Sequence, residues 1–222
     1  MLAFVARKLG NLVDELVFVG GCTTPLLVTE AAVPGLRPTD DVDCIVDVIS
    51  LNEYYDVEAK LREKGFKNVP EVICRWHYED ISLDVMPTDK NILSFGNRWY
   101  KSAIKNVTTH KIIYDLMIKV VAAPYFLGTK LEAFEGRGQN DFFASHDLED
   151  IITVINGRAE IVDEIIQVDP ALKNYLAQKF SGFLSKDNFY FSLPGHLADY
   201  RSLTNARVQI VLDRLTQIAN LA

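Results

Sequence analysis

Leu16-Val17-Phe18-Val19-Gly20-Gly21-Cys22-Thr23 and, after a spacer, Thr39-Asp40-Asp41-Val42-Asp43-Cys44-Ile45-Val46 are the stretches on which the fold turns. The first is a short apolar run ending in paired glycines. It reads as a buried strand that turns sharply into a helix over residues 23–32, closed by Pro34-Gly35. Paired glycines let the backbone approach a ligand closely, and a helix start offers N–H groups to phosphate. A Gly-Gly strand exit serves equally as a plain turn. It is neither a Walker loop nor a dinucleotide fingerprint, since the Lys-Ser/Thr pair and the third glycine are missing. The second stretch reads as a strand over residues 42–49, in which residues i and i+2 share a face, so Asp41 and Asp43 project side by side. Adjacent carboxylates repel each other unless a cation lies between them. The flanking Val42 and Cys44-Ile45-Val46 carry the pair to where a strand enters a core. Paired acids there suit Mg2+, a hard cation held by carboxylates and substrate phosphates. Asp40 reads as a solvated turn residue, and Arg37 as a group that reaches the site or balances its charge.

A third acid follows in Ser82-Leu83-Asp84-Val85-Met86, the second strand of a hairpin spanning 72–78 and 81–86 about Glu79-Asp80. Asp84 lies among apolar residues, where an unpaired carboxylate is expensive. As an isolated residue it is a hydrogen-bonded strand Asp. If its strand neighbours that of Asp41 and Asp43, three acids converge, and such clusters can hold two metal ions that activate a hydroxyl and stabilise a leaving pyrophosphate.

Outward from this centre, Leu2, Val5, Leu9, Leu12, Val13 and Leu16 form one face of an opening helix, and Arg7, Lys8, Asp14 and Glu15 break the apolar run that a signal peptide needs. Residues 53–64 read as a helix stopped by Gly65. From residue 110 the period changes. Ile112, Ile113, Leu116, Met117 and Val120 make a helical stripe over 110–122, and further helices are expected at 124–135, 147–156, 160–167, 170–183 and 203–220. The expected organisation is therefore an α+β domain over 1–109 and an α-helical domain over 110–222.

The 222 residues carry 23 Lys+Arg against 30 Asp+Glu, a net charge of −7, which argues against a constitutive duplex-DNA binder. Neither half is a basic module: there are 12 basic and 16 acidic residues through Thr109, and 11 and 14 after it. No stretch of about 20 residues lacks charge, so no membrane span is expected and the chain reads as cytoplasmic. Cys22, Cys44 and Cys74 lack metal-ligand spacing and read as buried thiols of a reducing compartment. One segment departs from the acidic average: residues 90–111 hold Lys90, Arg98, Lys101, Lys105 and Lys111 with no acid, and Trp99 and Tyr100 between them. That pattern fits a single-stranded nucleic acid track or a solvated segment with half-buried aromatics.

Together, Gly-Gly-x-Thr, the Asp-Val-Asp strand and the later strand Asp resemble the DNA polymerase β-like nucleotidyltransferase superfamily. Lys130-Leu-Glu-Ala133, then Arg137, then His146-Asp147-Leu-Glu-Asp150 is similar to the Lys-x-x-Ala…Arg…Asp-x-x-Asp pattern of its AbiEii/AbiGii toxin-type branch. The resemblance spans roughly residues 16–158. Gly-Gly-Cys-Thr departs from the commoner start, leaving Thr23 or Thr24 as the phosphate-site hydroxyl, and the Gly-rich spacer from Arg137 to Asp147 is longer than usual. The resemblance implies a minimal nucleotidyltransferase mixed sheet followed by a helical domain that completes the cleft. It implies that Gly20, Gly21 and Thr23 hold an NTP triphosphate, Asp41, Asp43 and Asp84 bind Mg2+ or Mn2+, and Asp84 helps activate the acceptor hydroxyl. Lys130 and Arg137 would steady phosphates, with Asp147 and Asp150 completing the site. It further implies transfer of an NMP to an acceptor RNA (a tRNA 3′ end) or a protein, a toxin–antitoxin or phage-defence setting, and a cognate antitoxin protein. A small-molecule (aminoglycoside-like) nucleotidyltransferase and a non-catalytic nucleotide-binding regulatory module are the alternatives. On spacing alone, Lys130 and Arg137 are two turns apart and share a face if the helix continues, while Asp147 at a helix start fits a capping role as well as a catalytic one.

Overall fold

The computed structural model describes residues 1–30, 38–197 and 204–221, and these form two compact units of mixed α+β and helical character. The first unit comprises residues 1–23 and 38–122; the second comprises the described residues of 24–37 and 123–222. Arg37 and Pro34-Gly35 lie outside the described residues.

The chain opens with α1 (Leu2–Leu9), which Gly10 at φ 57° ends, and a 3-10 segment (Gly10–Glu15) leads into β1 (Leu16–Val19), buried along its whole length. A second 3-10 turn (Gly21–Thr23) precedes α2 (Thr24–Leu27), a single turn where the sequence reads as a longer helix, with residues 31–32 of that reading outside the described set. Then come β2 (Asp41–Val46), α3 (Leu51–Glu63), β3 (Lys67–Asn68), β4 (Arg75–Tyr78) and β5 (Ile81–Pro87). Helix α3 starts two residues before the expected Glu53, because Ser50 caps it, accepting from Glu53 N–H. Two short helices, α4 (Lys90–Leu93) and α5 (Tyr100–Ala103), lead to β6 (Val107–Ile113) and β7 (Leu116–Val121).

Residues 110–122 are therefore not a helix. The stripe at Ile112, Ile113, Leu116, Met117 and Val120 satisfies a helical period, but five of the thirteen residues are β-branched and Tyr114-Asp115 turns the segment back on itself. Cross-strand pairing from Val107↔Val121 to Ile113↔Leu116 wins over local periodicity. In consequence the first unit runs to Ala122, past the expected boundary at 109.

The strands form one seven-stranded sheet in the order β3-β4-β5-β2-β1-β7-β6. The pairs β2/β5 and β1/β7 are parallel and the others antiparallel, a mixed sheet. One face carries Val42, Cys44, Trp76, Leu83 and Val85, all at most 0 % exposed. Helices α1 and α3 reach this face: Phe4 and Lys8 lie against Tyr78, Arg62 lies over Trp76, and the Tyr54 hydroxyl donates to the Val85 carbonyl. The alternate residues of β2, β4 and β5 point the other way, and they include all three acids.

The second unit continues with α6 (Ala123–Glu135), α7 (His146–Gly157), α8 (Ile161–Gln167), α9 (Pro170–Leu184), α10 (Asp187–His196) and α11 (Thr204–Ala219). Of these only α10 has no counterpart among the expected helices. Its Phe189 is fully buried and meets Phe183 and Phe142 at ring-centre distances of 5.4 and 5.7 Å, while Phe191 is exposed, so the aromatic run packs by one edge only. Helix α11 closes the end of α7, where Arg214 donates to the Ile155 and Asn156 carbonyls and pairs with Glu30. These charged donors satisfy carbonyls that a helix terminus leaves unpaired. Among the described residues no helix is long and apolar enough to cross a membrane.

Candidate active site

The parallel pairing of β2 with β5 sets the acids in register. Asp43 lies opposite Asp84, and Asp41 opposite Ser82, so the three carboxylates share one sheet face. Each offers an oxygen within 4.8 Å of those of the other two. Asp84 is buried, and Asp41 and Asp43 are half-buried. Asp40 is exposed, as a solvated turn residue should be.

Like charges directly opposite one another on adjacent strands are destabilising. Part of the compensation comes from Arg75, which stands opposite Asp84 on β4. Its Nε donates to Asp84 Oδ1 at 2.8 Å and its Nη2 to Oδ2 at 2.7 Å, and Nη2 lies 3.7 Å from Asp41 Oδ2. The Asp84 carboxylate raises the Arg75 pKa, so the guanidinium is a permanent charge. Next along the same face, Ser82 Oγ and His77 Nε2 are 3.1 Å apart. Sequence reasoning passed over Arg75, yet its signal was present: a hairpin turning at Glu79-Asp80 places residue 75 opposite residue 84.

Gly20 joins this centre for two reasons. Its φ is 72°, a left-handed conformation that follows from the sharp exit of β1, and a Cβ there would lie 1.9 Å from Asp43 Oδ2. The turn beyond it is closed by Thr23, whose N–H and hydroxyl both donate to the Gly20 carbonyl, at 3.1 and 2.8 Å. Gly21 is buried in the 3-10 turn. Helix α2 is too short to act as a phosphate-binding helix start, so the backbone of the turn is what remains of the expected cradle.

Three carboxylates converging within this distance are hard oxygen donors of the kind that fit Mg2+ or Mn2+. Thiol chemistry is not supported. The three cysteines are buried with no disulfide among them; burial pushes the Cys44 thiol well up, and burial, with Asp84 adding to it, pushes Cys74 up to about 12.

The helical unit gathers the other expected residues into a second cluster. Lys130 on α6 lies 2.9 Å from Asp147 Oδ1 and 2.7 Å from Asp150 Oδ2 on α7, its side chain 7 % exposed. Arg137 donates to both Asp147 oxygens at 2.9 Å, with its side chain 74 % exposed. It does so from the turn after α6, which ends at Glu135, so the two-turn helical spacing is not what brings Lys130 and Arg137 together. Asp147 is not the cap of α7: Ser145 is, accepting from Leu148 N–H. Thr24 donates to Asp150 at 3.2 Å, so of the two hydroxyls left open by the sequence, Thr23 closes the glycine turn and Thr24 ties α2 to α7. His146 lies outside the cluster, 3.1 Å from Glu149. Burial works against the Lys130 charge, but Asp150 and Asp147 outweigh it and raise its pKa; burial likewise opposes the Asp147 charge, and Arg137 and Lys130 bring its pKa down.

The basic segment is only partly available. Trp99 is buried, Tyr100 donates its hydroxyl to Met86 Sδ at 3.3 Å, and Lys101 lies 3.4 Å from Asp89. These aromatics pack against the protein rather than forming a stacking platform. Compared with family models and with curated proteins, the chain matches none.

Proposed function

We propose that the chain is a metal-dependent nucleotidyltransferase, moving an NMP from an NTP to an acceptor hydroxyl with release of pyrophosphate. The observation that carries this reading is the register of β2 on β5, which sets Asp43 beside Asp84 and leaves three carboxylates within 4.8 Å of one another next to a glycine turn. Asp41, Asp43 and Asp84 would hold Mg2+ or Mn2+, which when bound supplies charge stabilisation to a phosphoryl group in transfer. The chain's own groups do the positioning. The Gly20-Gly21 backbone and Thr23 shape the turn that receives the triphosphate, and the Asp84 carboxylate, fixed by Arg75, orients the acceptor hydroxyl. As the acceptor oxygen bonds to the α-phosphorus, the α–β phosphoanhydride bond breaks and pyrophosphate leaves with its electron pair; the hydroxyl proton passes to Asp84 or to solvent. In the helical unit Lys130 and Arg137 are held as cations by Asp147 and Asp150, with the Arg137 side chain 74 % exposed.

We take the acceptor to be an RNA 3′ end or a protein hydroxyl, in a cytoplasmic toxin–antitoxin or phage-defence setting with a cognate antitoxin, as the motif resemblance implies. The test is incubation with each α-labelled NTP, Mg2+, total tRNA and cell lysate, for wild type and Asp41→Ala/Asp43→Ala. Label moving to RNA or protein in wild type and not in the variant is the expected result. Label on a small molecule would replace the acceptor class. NTP binding with no transfer to anything would leave a regulatory nucleotide-binding module, and transfer that survives the double substitution would displace the site.

A further inference from the structure

A second row of side chains crosses the sheet on the face that carries the acids. His77 on β4 stands opposite Ser82 on β5, and Ser82 stands opposite Asp41 on β2, just as Arg75, Asp84 and Asp43 line up in the neighbouring row. Ser82 and Asp84 are two residues apart on one strand and so share a face. Ser82 therefore has an imidazole on one side and, about 4.8 Å away across the strand spacing, the backbone that carries Asp41 on the other. Its Oγ lies 3.1 Å from His77 Nε2. Ser82 is half-buried and His77 is exposed, so the pair is reachable from solvent. Two other hydroxyls of this unit are committed to the fold: Thr23 donates to the Gly20 carbonyl and Thr88 to Asp47. Ser82 instead faces a base. A serine hydroxyl is a weak nucleophile until an adjacent base takes its proton, and histidine is the side chain most often used for that purpose.

We propose that Ser82 is an acceptor in cis: the chain transfers one NMP from an NTP to its own Ser82 hydroxyl, with His77 as the base. The inference rests on the nucleotidyltransferase reading of the triad and deepens it by naming a protein hydroxyl beside the acids. Ser82 Oγ attacks the α-phosphorus and forms the new P–O bond. The α–β phosphoanhydride bond breaks, pyrophosphate leaves with its electron pair, and the hydroxyl proton passes to His77 Nε2. The product is a phosphodiester on Ser82, one per chain. The step requires the neutral imidazole to carry its hydrogen on Nδ1, so that Ser82 O–H donates and Nε2 accepts.

The test is incubation of the purified full-length chain with each of the four NTPs and Mg2+, with no added RNA or lysate, followed by intact-mass and peptide-mapping mass spectrometry. Wild type is expected to gain one NMP, mapped to Ser82. Ser82→Ala should lose the adduct, Ser82→Thr, which keeps a hydroxyl, should regain it, and His77→Gln should slow its formation by about a hundredfold or more. Wild-type protein that labels added RNA or another protein while staying unmodified itself overturns the proposal and leaves the nucleotidyltransferase reading standing, as does an adduct that maps to another residue. No transfer to any acceptor, the chain included, overturns both. An adduct on Ser82 that persists in Asp41→Ala/Asp43→Ala overturns the coupling to the triad. A second readout needs neither nucleotide, metal nor a folded variant: the imidazole 15N resonances of wild type are expected to show His77 Nε2 without a hydrogen. A hydrogen on Nε2 would make His77 the donor to Ser82 and overturn the proton route.

Discussion

Two charged clusters, one in each unit, are built on opposite plans. In the helical unit, Lys130 and Arg137 meet Asp147 and Asp150, two cations against two anions, with Lys130 and both acids buried. In the sheet unit three acids meet one arginine, and Asp41 and Asp43 are half-buried. Burying ions is costly, and a balanced, hydrogen-bonded set offsets that cost from within. The helical cluster is therefore complete as it stands and holds α6, α7 and α2 in place. Among the described residues the triad sets three acids against one arginine. On the proposed reading, one cluster holds the fold and the other receives the metal.

The largest expected effects test that division directly. Asp41→Asn/Asp43→Asn should lower label transfer by roughly a thousandfold or more, since metal-derived charge stabilisation is worth several kcal/mol. Its stability to urea should stay within about 1 kcal/mol of wild type or rise, because the substitution relieves like-charge repulsion. Lys130→Ala should do the reverse in stability, costing about 3–5 kcal/mol by leaving two acids buried without their shared cation. Urea denaturation of both variants checks the pair. A stable Lys130→Ala protein, or an unfolded triad variant, would erase the contrast.

How far each cluster was legible in the sequence follows from the range of the interactions that build it. The triad was readable because its parts are local: Asp41 and Asp43 alternate within one strand, and Asp84 stands out among apolar neighbours. Its fourth member, Arg75, needed the hairpin register to be carried through from the turn at Glu79-Asp80. The helical cluster was found through its motif, but its geometry was not. Ser145, not Asp147, caps α7, and Arg137 reaches Asp147 from a turn rather than along α6. The segment 110–122 failed for a different reason. Its apolar spacing fits helix and strand alike, and pairing in a sheet, which periodicity does not contain, decides between them.

Gly20→Ala sharpens the comparison at the edge of the triad. An alanine at φ 72° costs about 1–2 kcal/mol from backbone conformation alone. Its Cβ must also displace the Asp43 carboxylate, which it would approach to 1.9 Å. Mn2+ affinity should therefore fall by about tenfold or more alongside the modest stability loss; a variant that loses stability but binds Mn2+ normally would detach the glycine turn from the site.

The pH dependence of stability separates the clusters with a smaller effect. The Asp147 pKa is lowered from 3.8, so its contribution is present above that value and is lost as pH falls below it through the folded-state pKa. The Lys130 pKa is raised from 10.5, so its contribution is present below that value and is lost as pH rises beyond it. Between these limits both contributions of the helical cluster are intact. Urea midpoints of wild type and Asp147→Asn, measured from pH 3 to 7, should converge toward the acid end, because protonation of Asp147 in wild type removes the charge that the variant already lacks. A constant difference across that range would mean that Asp147 contributes through shape and hydrogen bonding rather than through its ion pairs.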